Sequence, residues 1–134
     1  MRLVLKLVRG SWFRFIYKGT DKEQQRNELL NSHHITSRIE FVDAKQTQLI
    51  LKKNEVLIGR NKECSVVLDD SKVSRVQCEL SKSGSQWIIK NMSRYGTRVS
   101  LKGEEHLLKN DETKTLWDGI LILIGDTILE VTSD

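Results

Sequence analysis

The sequence predicts an all-β fold, an antiparallel sandwich or barrel, and two observations carry that reading. From Ile35 onward the chain is one short apolar or alternating run after another. Between the runs stand Gly, Asn and Asp, the residues that turn a chain tightly. Regularly spaced short strands of this kind close into two packed sheets or a barrel.

The first 33 residues read differently. Leu3–Val8 and Trp12–Tyr17 flank Arg9-Gly10-Ser11, which predicts a hairpin. Asp21–Asn31 has an acidic start, good helix formers and Leu29-Leu30 late in the run, which predicts a short helix capped by Thr20 or Asp21. This segment is either an N-terminal extension packed on the sandwich or its first strand followed by an insertion. The division expected is 1–33 for that element and 34–134 for the sandwich.

The strands follow in order. Ile35–Val42 and Thr47–Leu51 are β-rich and joined by Asp43-Ala44-Lys45-Gln46. Lys52-Lys53-Asn54-Glu55 turns the chain into Val56–Arg60, and Ser65–Leu68 and Val76–Ser81 come next. Ser83-Gly84-Ser85 turns the chain into Trp87–Lys90. Thr97–Leu101, Thr113–Trp117, Ile120–Ile124 and Thr127–Thr132 complete the run, separated by Lys102-Gly103, Asp118-Gly119 and Gly125-Asp126. Leu121-Ile122-Leu123-Ile124 is apolar throughout and is expected to lie deep between sheets.

A chain of 134 residues can bury a self-sufficient core without disulfide staples. Its 38% hydrophobic and 30% charged residues are ordinary for a soluble globular protein. No apolar run approaches a membrane span, and Lys6 and Arg9 interrupt the first residues too early for a signal peptide. Cys64 and Cys78 without a secretory signal read as small buried hydrophobes of a reducing compartment, so an intracellular chain is expected. The net charge of +4 sits entirely in residues 1–33, with seven basic and three acidic side chains, while 34–134 balances at fifteen each. Those bases are scattered singly, as on a solvated face, so neither nucleic acid nor membrane is expected as a partner.

The chemistry lies in three turns. Val56-Leu57-Ile58-Gly59-Arg60, then Ser74-Arg75-Val76-Gln77, then Ser93-Arg94-Tyr95-Gly96-Thr97 each follow a strand and carry Arg, Ser or both. No Cys or His pair has metal-ligand spacing, no nucleophile elbow surrounds Ser74, and no nucleotide fingerprint exists. Catalysis, metal and cofactor are therefore not expected. Arg forks with hydroxyls on rigid strand ends suit a phosphate group, which offers nearly two charges and three acceptor oxygens. The bland reading pairs the same arginines with Glu63, Asp69 or Asp70 at the surface, where such pairs contribute little.

At these residues the chain resembles the forkhead-associated (FHA) domain family. That family's pattern is Gly-Arg after a strand, then Ser-Arg-x-His, then Ser-x-Asn-Gly-Thr, then an apolar strand ending in Ile-Gly. Here the pieces read Ile58-Gly59-Arg60, Ser74-Arg75-Val76-Gln77, Ser93-Arg94-Tyr95-Gly96-Thr97 and Leu123-Ile124-Gly125, with Cys64-Ser65-Val66-Val67-Leu68 at the family's Cys-Asp-Ile-x-Leu strand. The resemblance covers residues 35–132. It implies a two-sheet sandwich of about eleven strands that binds phosphothreonine peptides on loops at one end. It assigns phosphate or peptide contact to Arg60, Ser74 and Arg75, and a variable phosphate-facing position to Arg94. Gly59 and Gly96 would serve turn geometry and Thr97 would brace a loop.

Two positions depart from the pattern. Gln77 replaces a loop-bracing His, a role its amide can fill. Tyr95 replaces the Asn that binds the peptide main chain, so it implies altered selectivity, with the ring covering the peptide. The function expected is a phosphothreonine-dependent interaction module of an intracellular, nuclear signalling or DNA-damage checkpoint protein. The alternatives are phosphate-independent scaffolding, a head-to-tail homodimer in which phosphorylated Thr20 docks into a neighbour, and nucleic-acid binding through residues 1–33.

Overall fold

The computed structural model describes residues 2–9, 35–38, 40–45 and 48–133. Among them thirteen strands form two sheets that face each other across one core. The larger sheet has the order β10-β9-β12-β13-β1-β4-β3, made by Glu104–Leu108, Thr97–Leu101, Leu121–Ile124, Thr127–Ser133, Leu3–Arg9, Gln48–Leu51 and Val42–Lys45. The smaller has the order β11-β8-β7-β5-β6-β2, made by Thr113–Leu116, Gln86–Asn91, Cys78–Ser83, Glu55–Gly59, Val66–Leu68 and Ile35–Ser37. Neighbours are antiparallel except β5 and β6, which run parallel over two register pairs.

The core follows from strand alternation, which puts every second side chain on one face. Leu3, Leu5 and Leu7 of β1 meet Leu49 and Leu51 of β4 and Leu129 and Val131 of β13 on the inner face of the larger sheet. Val56 and Ile58, Val66 and Leu68, Leu80 and Ile89 supply the opposing face. Each such side chain, once buried, contributes about 1.5–3 kcal/mol. β1 lies in the interior of its sheet, paired to β13 on one side and β4 on the other, so the sandwich includes Leu3–Arg9. The expected strand Trp12–Tyr17 and helix Asp21–Asn31 fall outside the described residues.

Three expectations are corrected. The run Ile35–Val42 is not one strand, because the chain changes sheets within it. Ile35–Ser37 pairs with β6, the backbone turns as Phe41 N–H and Val42 N–H donate to the Arg38 carbonyl at 2.9 and 3.0 Å, and Val42–Lys45 then pairs with β4. The Arg38 guanidinium stacks over the Phe41 ring at 5.3 Å and fixes that corner. Residues Asp43 to Lys45, expected as a connection, are therefore strand. Second, Leu121–Ile124 does not lie wholly between sheets. Ile122 and Ile124 are in the core, whereas Leu121 and Leu123 stay half-buried on the outer face. Third, β10 was absent from the expected strands. Among the described residues it is an edge strand with four of five residues exposed, paired to β9 through the Lys102-Gly103 turn.

Candidate functional site

β5 ends at Gly59, and the chain that leads into β7 continues the pairing past the regular sheet. Arg60 N–H donates to the Ser74 carbonyl at 2.9 Å and Asn61 N–H to the Arg75 carbonyl at 3.0 Å. Only glycine permits this approach. A Cβ at position 59 would collide with the Arg75 carbonyl oxygen and lie 2.9 Å from Val76 Cα. The first two motifs are thereby fastened to each other by backbone. Cys64, buried and unpaired, adds an Sγ contact to the same Arg75 carbonyl at 3.4 Å. Burial pushes the Cys64 and Cys78 thiols up, which leaves both as unreactive packing groups.

The third motif is fastened by side chains. Gln77 is 5% exposed and spends its whole amide on the loops. Its Oε1 accepts Ser74 N–H at 3.0 Å, while Nε2 donates to the Gly96 carbonyl at 2.9 Å and to Thr97 Oγ1 at 2.8 Å. Thr97 in turn donates to Asn91 Oδ1 at 2.8 Å. Fully buried Asn91 also holds Ser93, accepting its N–H at 3.0 Å and donating to its carbonyl at 2.8 Å. Ser93 Oγ meets Ser74 Oγ at 2.6 Å and accepts Tyr95 N–H at 3.1 Å. The chain of bonds from Gln77 through Thr97, Asn91 and Ser93 back to Ser74 closes a ring. Gly96 takes φ +89°, and a Cβ there would meet Leu107 Cδ1 at 2.7 Å, so that turn needs glycine on two counts.

Above this ring lies a cavity of about 650 Å³, and Arg60, Ser74, Arg75, Arg94 and Tyr95 all line it. Arg60 is held by Nε donating to the Val73 carbonyl at 3.0 Å, which leaves its two terminal nitrogens as a fork. Among the described residues, Arg60, Arg75 and Arg94 have no carboxylate partner. The surface pairing with Glu63, Asp69 or Asp70 does not form. Asp70 instead accepts Lys72 N–H at 2.9 Å and Asp126 N–H at 3.1 Å. Arg94 lies over the Tyr95 ring at 5.6 Å, and that ring is 78% exposed. With Tyr95 N–H on one Ser93 lone pair, Ser93 can donate to Ser74 and free the Ser74 proton for an acceptor in the cavity.

The FHA domain family model matches residues 56–125, seventy of the 134 residues. The chain belongs to the FHA domain family. Solved FHA domains share its fold. That of the CT664 protein from Chlamydia trachomatis is 15% identical with a TM-score of 0.61, over 100% of this chain and 99% of that one. That of an Arabidopsis thaliana hypothetical protein is 17% identical with a TM-score of 0.62, over 98% and 84%. The MEK1 FHA domain, solved in complex with a HOP1 phosphothreonine peptide, is 27% identical with a TM-score of 0.54, over 69% and 94%. A search of curated proteins finds no match.

Within this FHA domain, sequence reasoning missed Asn91 and the further lining residues Lys72 and Met92, and it placed Ser93 in the third motif without giving it a role. Asn91-Met92-Ser93 carried a legible signal, an Asn able to bond the backbone two residues on. Lys72 and Met92 carried none, because only the loop geometry brings them to the rim. No group of three His, Cys, Asp or Glu among the described residues could hold a metal, and no helix there could cross a membrane.

Proposed function

We propose that the cavity binds a phosphothreonine-containing peptide and that the protein is a phosphate-dependent interaction module. The observation that carries this is the convergence of three arginines, without carboxylate partners among the described residues, and one braced hydroxyl, from three loops, on a single cavity. A phosphate carries roughly −1.5 to −2 charge at neutral pH and three acceptor oxygens, and it matches that set in charge and in donor count. Arg60 supplies two parallel donors from its fork, Ser74 supplies O–H, and Arg75 and Arg94 neutralise the remaining charge from the rim. The donors are positioned before ligand arrives, so binding costs little reorganisation. The phosphothreonine complex of the MEK1 relative supports the same ligand class.

Tyr95 gives the site its own character. Its exposed ring beside Arg94 offers an apolar and cationic platform for the peptide chain. The role extends to recruitment of phosphorylated partners in intracellular signalling, with a nuclear checkpoint protein as the setting the family resemblance suggests. Calorimetry with one phosphothreonine peptide and its unphosphorylated twin tests the binding claim. Affinity for the first and none for the second is expected; equal affinities would overturn it.

A further inference from the structure

β10 and β11 end their respective sheets on the same flank of the sandwich, and residues 109–112 carry the chain from one to the other. Alternation sets which side chains face the gap between them. Leu108 of β10 and Leu116 of β11 reach the core, so Glu104 and His106 share the inner face with the first and Lys114 with the second. Positions that carry core hydrophobics elsewhere are therefore polar here. With Lys102 and with Leu101, which packs against the core, they line a recess of about 240 Å³. The recess shares no residue with the cavity above Ser74, and the Lys102-Gly103 turn lies at the end of β9 away from Thr97.

Inward-facing charges on an edge strand also discourage pairing with other chains. That role needs neither a common recess nor unspent donors. Among the described residues, the side chains of Lys102, His106 and Lys114 make no hydrogen bond or ion pair, and Glu104 pairs with neither lysine. The hairpin turn holds Lys102 at φ +52°, a backbone conformation that an L residue adopts at a cost.

The charge of the recess selects its ligand. Two lysines against one glutamate leave one positive charge, which a single carboxylate neutralises. A phosphate of roughly −1.5 to −2 would exceed that charge and would face Glu104. No Arg fork lines the recess, and lysines act as point charges. Sites for whole small molecules span about 300–1,000 Å³, so the space fits one acidic group and little more.

We infer that this recess is a second binding site, and that it takes a carboxylate. The group is an acidic side chain of a protein or a free organic acid. Lys102 and Lys114 hold its charge, His106 adds an N–H donor, and Glu104 excludes more highly charged anions. The site is independent of phosphothreonine binding.

Amide chemical-shift titrations at constant ionic strength test it with four probes: acetate, a capped Ala-Glu-Ala peptide, its Ala-Gln-Ala twin and inorganic phosphate. Acetate and the Glu peptide should shift Lys102, Gly103, His106 and Lys114 saturably in the millimolar range, and the Gln twin should not. Tighter binding of the Glu peptide than of acetate names a protein side chain as the source, and the reverse names a free acid. Lys102→Ala and Lys114→Gln should each weaken the carboxylates about two- to fivefold. Glu104→Gln should strengthen them and raise the affinity of phosphate at the same amides. Melting curves confirm that each variant is folded. Absence of saturation with both carboxylates, equal shifts from the Gln twin, or phosphate binding tighter than either carboxylate in the wild type overturns the inference. So do carboxylate affinities that both lysine variants leave unchanged.

Discussion

Gln77→Ala is the substitution that most directly probes how the site is built. Truncation removes one acceptor and one two-proton donor from a position 5% exposed. It strands Ser74 N–H and the Gly96 carbonyl, while Thr97 Oγ1 keeps its bond to Asn91. Two buried polar groups left without partners cost about 1–3 kcal/mol each. Water admitted to the vacated space offsets part of that, so a net loss of about 2–4 kcal/mol is expected. Against a typical domain stability of about 5–15 kcal/mol the protein still folds. The ring linking the second and third motifs opens, and Ser74 is left tied to the Tyr95 turn by the Ser93 hydroxyl without the Gln77 bonds beneath it. Urea unfolding followed by Trp fluorescence measures the first effect and calorimetry with a phosphothreonine peptide the second. A midpoint and an affinity both equal to wild type would refute the claim that Gln77 couples the two loops.

Other perturbations separate scaffold from contact. Gly59→Ala should cost more than about 2 kcal/mol in urea unfolding and abolish peptide binding, because its Cβ would push the Arg75-Val76 backbone off β5. Tyr95→Ala should leave stability within about 0.5 kcal/mol, since the ring is largely exposed, and change only peptide affinity and selectivity. The Glu79 carboxyl is held above the usual range by burial and by the neighbouring Glu55, with Lys90 opposing. Its protonated form is thus favoured in the folded state, and its contribution to stability is full at acid pH and lost as pH rises through the raised value. Glu79→Gln should therefore stabilise the protein at neutral pH by a few tenths of a kcal/mol and not at all near pH 3, read from melting curves at the two pH values.

The sandwich was legible in the sequence because strand alternation and turn residues coincide from Val56 to Thr132. It failed where those signals parted. The sheet change at Arg38–Phe41 has no Gly or Asn to mark it, and the corner is set by backbone bonds to Arg38 and by a ring contact. β10 opens with Glu104, Glu105 and His106 and is apolar only at Leu107 and Leu108, so no alternation announces an edge strand that is held by register with β9. Leu121 and Leu123 misled in the other direction, since a uniformly apolar strand does not say which face is covered. The site was legible at the level of motifs, because Arg60, Ser74, Arg75, Arg94 and Tyr95 sit on turns that the fold gathers at one end. The brace beneath them was half legible. Gln77 could be assigned to it, but the part played by Ser93 depends on meeting Ser74 across 19 residues of sequence, and that of Asn91 on reaching Thr97 across six.

The central claim is that those five side chains form one phosphate-dependent site, and amide chemical-shift mapping tests it most directly. Titration with a phosphothreonine peptide should shift the amides of Arg60, Ser74, Arg75, Arg94 and Tyr95 together, and Arg60→Ala should erase the response. Arg60→Ala removes charge-assisted hydrogen bonds to the phosphate, a loss of about 1.5–3 kcal/mol for each. Shifts confined to another surface, or an unchanged response in Arg60→Ala, would contradict the account.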